Sequence, residues 1–197
     1  MKTSAKRPIA ILLIICVSIL LGFLINLVWT GIERALFPKD YNEIIERYSK
    51  EYNVPSYIVA AVIKVESGFD PNAESNKGAR GLMQMTPSTF EWLTGEDHLG
   101  EFLPKSKLYD PEVSIRYGTY YLHYLQSKFQ NWDTTLAAYN GGEGNVANWL
   151  RNPEYSDGNG ALTHIPFKET REYVKKVNSA MDTYKRLYEI QPEVIQT

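Results

Sequence analysis

Only one cysteine occurs in 197 residues, Cys16, and it lies inside an unbroken apolar stretch. Everything beyond that stretch therefore has no internal disulfide and no cysteine-based metal site, and its core alone must hold it together. Histidine is nearly as scarce: His98, His123 and His164 are scattered without ligand spacing. No Ser–His or Cys–His arrangement offers an activated nucleophile, and the reading includes no metal and no cofactor. Acidic residues are absent before Glu33; three of the 21 basic residues precede it, so the rest of the chain carries a net charge of −5. That balance excludes a nucleic-acid role, which needs a basic face. No window alternates apolar and polar residues for long, and no internal repeat is present. "GGEG" is too short for a phosphate loop. The expectation is a mostly α protein.

What the sequence does contain is apolar and aromatic. Hydrophobic residues make up 44% and charged residues 22%, enough for one globular domain with a core. Tyrosine accounts for 14 residues. Tyrosine packs cores, and it also lines sugar clefts, where ring faces stack on C–H faces and the hydroxyl finds polar partners.

The first 30 residues are a separate object. Lys2, Lys6 and Arg7 precede Ile9–Trp29, a run of 21 residues without charge. Such a run spans a bilayer as a helix, and its basic flank favours a cytoplasmic N-terminus with the remainder outside. It is too long for a signal-peptide core, and no A-x-A-like site follows it. Ile15 before Cys16 excludes lipoprotein processing. The expected layout is a cytoplasmic N-terminus and anchor over 1–30, a juxtamembrane linker over 31–39, a globular domain over 40–190 and a frayed tail over 191–197.

Helical periodicity and end signals organise the domain. "DYNEIIERYSKEYN" opens with Asp40 and Glu43 at capping-box spacing. "VPSYIVAAVIKVESG" is apolar nearly all round, which predicts a central buried helix stopped by Gly68. Thr86 followed by Pro87, and Asp110 followed by Pro111, predict two further starts. Asp133 reads as the cap of the next helix, which "NGGEG" breaks. "PFKETREYVKKVNSAMDTYKRLYE" closes the domain with Tyr173, Val174, Val177, Met181, Tyr184, Leu187 and Tyr188 on one face.

Glu66 falls on the last turn of the central helix. Burial raises a carboxyl pKa, and the negative end of a helix dipole raises it further. A carboxyl kept protonated near neutral pH suits a general acid; a solvated Glu at a helix end explains the same letter.

The residues that follow decide between them. "ESGFDP" from Glu66, then Ser75 and "GARGLMQMTP", then "AAYNGGEGNV" and "IPFKETREYVKKV" together resemble the soluble-lytic-transglycosylase-like family, in its order and spacing. The resemblance runs from about Asp40 to Tyr188. It implies a lysozyme-like, mostly α fold and cleavage of the β-1,4 bond between N-acetylmuramic acid and N-acetylglucosamine in peptidoglycan. It further implies that Glu66 alone does the acid–base work and yields a 1,6-anhydro product. Ser67, Ser75, Met83, Gln84, Tyr139, Asn140 and Tyr173 are the residues it places at the substrate.

Each of these has a structural reading beside it. Ser67 could satisfy a backbone carbonyl, Ser75 could serve a turn, and Met83 and Tyr173 could be core. Tyr139 with Asn140 could be a core residue and a helix cap. Gly141 and Glu143 depart from the family pattern, which commonly has Ala and Pro there. Glu169 and Arg171 read as a structural ion pair. Asp70, Glu74, Glu91, Glu96 and Asp97 are near enough in sequence to supply a second carboxylate. A water-using muramidase of the same fold and a non-catalytic wall-binding or scaffold protein therefore stay open. The expected partners are peptidoglycan strands and the membrane, with the catalytic domain on the wall side.

Overall fold

Residues 6–188 are described by a computed structural model, with side chains from residue 10. Lys2, the side chains of Lys6 and Arg7, and the tail 191–197 lie outside the described residues. The chain divides into two units, Met1–Pro38 and Lys39–Thr197.

The first unit is one helix, α1 (Lys6–Leu36). Its segment Ala10–Leu36 is long and apolar enough to cross a membrane. At 27 residues it spans about 40 Å. Most of the stretch read as a linker, 31–39, is helical: the helix continues through Leu36.

The second unit is helical, with no sheet among the described residues: α2 (Asn42–Tyr52), α3 (Ser56–Glu66), α4 (Pro87–Leu93), a 3-10 turn (Lys105–Tyr109), α5 (Pro111–Phe129), α6 (Trp132–Gly141), α7 (Glu143–Leu150) and α8 (Lys168–Tyr188). The central helix is α3. Ile58, Val59, Ala61, Val62 and Ile63 are all buried, because α8 and α2 pack against it. The stripe on α8 meets it with Tyr173, Val174, Val177, Met181 and Tyr184 buried. On α5 the buried face includes Ser114, Ile115, Tyr117, Gly118 and Leu122. A second cluster forms where Phe90 and Leu93 of α4 meet Leu108 and Tyr117.

Two helix starts follow the sequence signals. Thr86 accepts from the Thr89 amide, and Asp110 accepts from the Glu112 amide, each with proline at the first helical position. Two others do not. The chain enters α2 through Tyr41 in the left-handed region, φ 59°, with no side-chain cap, so the Asp40–Glu43 capping box does not form. At α6 the cap is Asn131, which accepts from the Thr134 amide; Asp133 sits in the first turn and accepts instead from Asn178 of α8 at 2.8 Å.

Candidate active site

The site is assembled where α3 stops. Gly68 and Phe69 both take positive φ, 62° and 72°. This pair turns the chain out of the helix immediately after Glu66 and aims it along residues 70–86. That segment has no regular structure, yet its polar groups are paired. The Gly81 amide donates to the Ala73 carbonyl at 3.0 Å, and Arg80 and Met85 exchange backbone bonds at 3.0 and 3.2 Å. Gln84, at φ 47°, donates its side-chain amide to the Ala73 and Gly81 carbonyls, both at 3.0 Å. The result is a fixed wall beside the helix end.

Glu66 keeps part of its surface open, yet burial pushes its pKa up to about 7. The Tyr173 hydroxyl acts in the opposite direction, and no other carboxylate contributes to the shift. Two phenols, the buried Tyr173 and the half-buried Tyr139, face this carboxyl. Tyr173 and Tyr139 are both held well above their ordinary value, first by burial and then by the Glu66 charge. Tyr139 donates its hydroxyl to the Met83 carbonyl at 2.8 Å. The Tyr173 hydroxyl is buried and makes no hydrogen bond of normal geometry among the described residues. Lying beside the Glu66 carboxyl, it favours the charged form, which is the direction in which it moves that pKa. Tyr173→Phe should therefore leave folding intact and move the Glu66 titration upward, because the group that lowers it is gone. Carbon-13 NMR of the Glu66 carboxyl across pH 5–9 would read this shift, and an unmoved or lowered midpoint would refute it.

The other candidate residues divide by where their polar groups go. Ser67 donates to the Leu82 carbonyl at 2.8 Å and the Ile63 carbonyl at 3.2 Å, and accepts from the Phe69 amide at 3.2 Å. Its hydroxyl thus rivets the wall to the helix end. Ser75 is exposed and accepts from the Ala79 amide at 3.0 Å, closing a tight turn. Met83 does not line a surface: its side chain has no exposure and lies against Gly118, so it reaches the site only through its carbonyl. Tyr173 is likewise buried, at 7% exposure, and touches the site through its hydroxyl side.

Gln84, Tyr139 and Asn140 do come together. With Met85, Thr86, Thr89, Tyr121 and Gly142 they line a hollow of about 160 Å³. A second hollow, of about 470 Å³, lies between Lys77, Asn140, Gly141, Phe167 and Glu169. Asn140, at the end of α6, belongs to both, so the glycine break places its amide at their junction. Tyr121, Thr89 and Phe167 were not singled out from the sequence. Thr86 and Thr89 share a face by spacing, so that much of their placement is readable.

Three of the five acidic alternatives are occupied elsewhere. Asp70 caps the Asn72 amide in a turn at 2.9 Å. Glu74 pairs with Arg80 and accepts from Tyr109, and Glu91 pairs with Lys105. Glu169 pairs with Lys77 rather than Arg171, whose guanidinium donates to the Ile165 carbonyl. No group of three potential metal ligands occurs among the described residues.

Comparison with known proteins follows the same outline. Residues 43–160 match the family described as the transglycosylase SLT domain. The soluble lytic murein transglycosylase of Escherichia coli K12 is 36% identical over 162 residues, which is 81% of this chain and 25% of that protein. The membrane-bound lytic murein transglycosylase C of Edwardsiella ictaluri is 33% identical, across 75% of this chain and 47% of that protein. The crystal structure of the 70 kDa soluble lytic transglycosylase from Escherichia coli superposes with a TM-score of 0.71 at 35% identity, covering 78% of this chain and 25% of that one. The chain thus spans about a quarter of its soluble relatives and about half of its membrane-bound ones.

Proposed function

The chain belongs to the transglycosylase SLT domain family, and from that premise we propose that it is a peptidoglycan lytic transglycosylase with Glu66 as its single general acid and base. The observation that carries the reading is the Glu66 carboxyl, raised to about 7 at the glycine-turned end of a buried helix. At neutral pH such a group is shared between its two forms, and both are needed. The protonated form donates to the glycosidic oxygen as the bond from C1 of N-acetylmuramic acid to that oxygen breaks. The resulting carboxylate then takes the proton of the C6 hydroxyl on the same sugar. The C6 oxygen closes onto C1 to give a 1,6-anhydro end, and Glu66 is protonated again. No water is consumed, so no second carboxylate is required to activate one or to form a covalent adduct. The separate engagement of Asp70, Glu74 and Glu91 supports this economy.

Within this reading Tyr139 and the Met83 carbonyl fix the floor under Glu66, and Gln84 and Asn140 meet N-acetyl and hydroxyl groups of the sugars. Ser67, Ser75 and Tyr173 act by holding and tuning rather than by touching substrate. The apolar helix Ala10–Leu36, together with the membrane-bound relatives, supports attachment to the cell membrane with the SLT domain facing the wall.

The test is mass spectrometry of purified peptidoglycan digested by the full chain in mild detergent. Muropeptides one water lighter than hydrolysis products, ending in anhydro-muramic acid, are expected. Hydrated reducing ends would replace the proposal with a muramidase, and an intact sacculus would leave a binding or scaffold protein.

A further inference from the structure

An aromatic surface continues the smaller hollow outward, and nothing in the cleavage chemistry accounts for it. At α4, the capping Thr86 and Thr89 line the hollow, and Trp92 lies one turn beyond Thr89 on the same helix face. On α5, Tyr121 lines the hollow and Tyr124 lies one turn beyond it. The two extensions converge. The Trp92 ring is 5.2 Å from Tyr124 and 6.3 Å from Tyr121, and the two tyrosines stack at 12° and 6.3 Å. Tyr121 in turn stands 5.4 Å from Tyr139 at the site.

The outer ring is held, not loose. His98 packs edge-on to Trp92 at 4.0 Å, and its Nδ1 is 3.2 Å from the Tyr120 hydroxyl. Even so, Trp92 is 42% exposed. A large rigid ring left open beside a cleft costs little conformational entropy when it captures a ligand. Its border is polar. The Tyr124 hydroxyl approaches Glu143 at 3.5 Å, and Glu143 pairs with Lys128. Glu143 is one of the two residues of the glycine break that depart from the family pattern, and it adjoins Gly142 of the hollow.

We propose that Trp92, Tyr121 and Tyr124 form a stacking ledge for the glycan strand beyond the hollow, so that Trp92 sets how strongly the chain favours long strands over short ones. The inference rests on the saccharide reading of the site. The occupant follows from continuity with the hollow and from the chemistry of the ledge. Ring faces match the C–H faces of a hexose, while a phenol, a carboxylate and an ammonium at the edge match its hydroxyl and amide groups. A protein partner would want a broader apolar patch than these three rings.

The experiment measures binding by calorimetry in the full chain carrying Glu66→Gln, with trimers and hexamers of β-1,4-linked N-acetylglucosamine as probes. The hexamer should bind more tightly than the trimer. Adding Trp92→Ala should weaken hexamer binding about tenfold and erase the length preference. Adding Trp92→Phe should retain most of both, which a merely structural role for the indole would not predict. Equal hexamer affinity with and without Trp92→Ala, or no hexamer binding at all, overturns the ledge. The cleavage reading fails separately: intact peptidoglycan together with Trp92-dependent hexamer binding would remove the lyase and leave the ledge standing.

Discussion

Replacing Glu66 with glutamine is expected to abolish cleavage and, at pH 8, to make the protein more stable. The two effects share one cause. The carboxyl titrates at about 7 in the fold against an ordinary value of 4.5. Below pH 4.5 it is protonated whether folded or not, and its burial is then free of an ionic penalty. Between pH 4.5 and 7 the unfolded chain releases the proton and the folded chain resists, so stability falls as pH rises through that window. Above pH 7 the whole penalty is present, at most about 3 kcal/mol, and less to the extent that solvent still reaches the group. Glutamine fills the same space without the charge. The melting temperature of Glu66→Gln should therefore exceed that of the parent at pH 8 and match it near pH 4. Loss of the acid should lower turnover at least a hundredfold, within the range general acid–base catalysis supplies. The parent's own activity should decline above pH 7 as the acid form is depleted. A variant that lost activity and was less stable at pH 8 would mean that Glu66 is structural, and the chemistry would have to move elsewhere.

Glu66 could be found in the sequence because its signals are local: an apolar run, its last turn, a glycine two residues on. The same holds for Thr86 and Asp110, whose caps reach only three and two residues along the chain. Where a partner lies far away the letters were silent. Asp133 looked like a cap, but Asn178, 45 residues distant, takes its oxygen and Asn131 caps instead. Asp40 and Glu43 had the right spacing, but the chain turns left-handed at Tyr41 and removes the geometry that spacing needs. Met83 sits in the motif beside Gln84, and only the fold reveals that one faces the core and the other the hollow. Residue type located the site; orientation within it depended on α5 and α8 arriving from later in the chain.

Gly81→Ala should be the most damaging single methyl in the domain. Gly81 is buried at φ 73°, a conformation that costs an alanine about 1–2 kcal/mol by itself. Its added carbon would also overlap the Leu108 carbonyl oxygen and stand 2.9 Å from the Ser114 hydroxyl. The first of these is backbone, which cannot rotate away. Gly78 supplies the control: φ is 77°, but nothing lies within 4 Å of an added carbon. Gly78→Ala should therefore cost only the conformational part, while Gly81→Ala should exceed about 4 kcal/mol, as clashes with fixed backbone do. Urea denaturation of both variants of the full chain, followed by tryptophan fluorescence, measures the difference. The consequence reaches the site through named bonds. The Gly81 amide and carbonyl hold Ala73 and Gln84, and the Ser114 hydroxyl that would be crowded accepts from the Met83 amide at 3.2 Å. If the chain yields at 81 to relieve the clash, the Met83 carbonyl leaves Tyr139, and the floor beneath Glu66 goes with it. A folded Gly81→Ala protein should then show a displaced Glu66 titration as well as lost stability. Equal losses for the two alanine variants would show that Leu108 can move aside, and that the wall is held by its own turns rather than by the helix behind it.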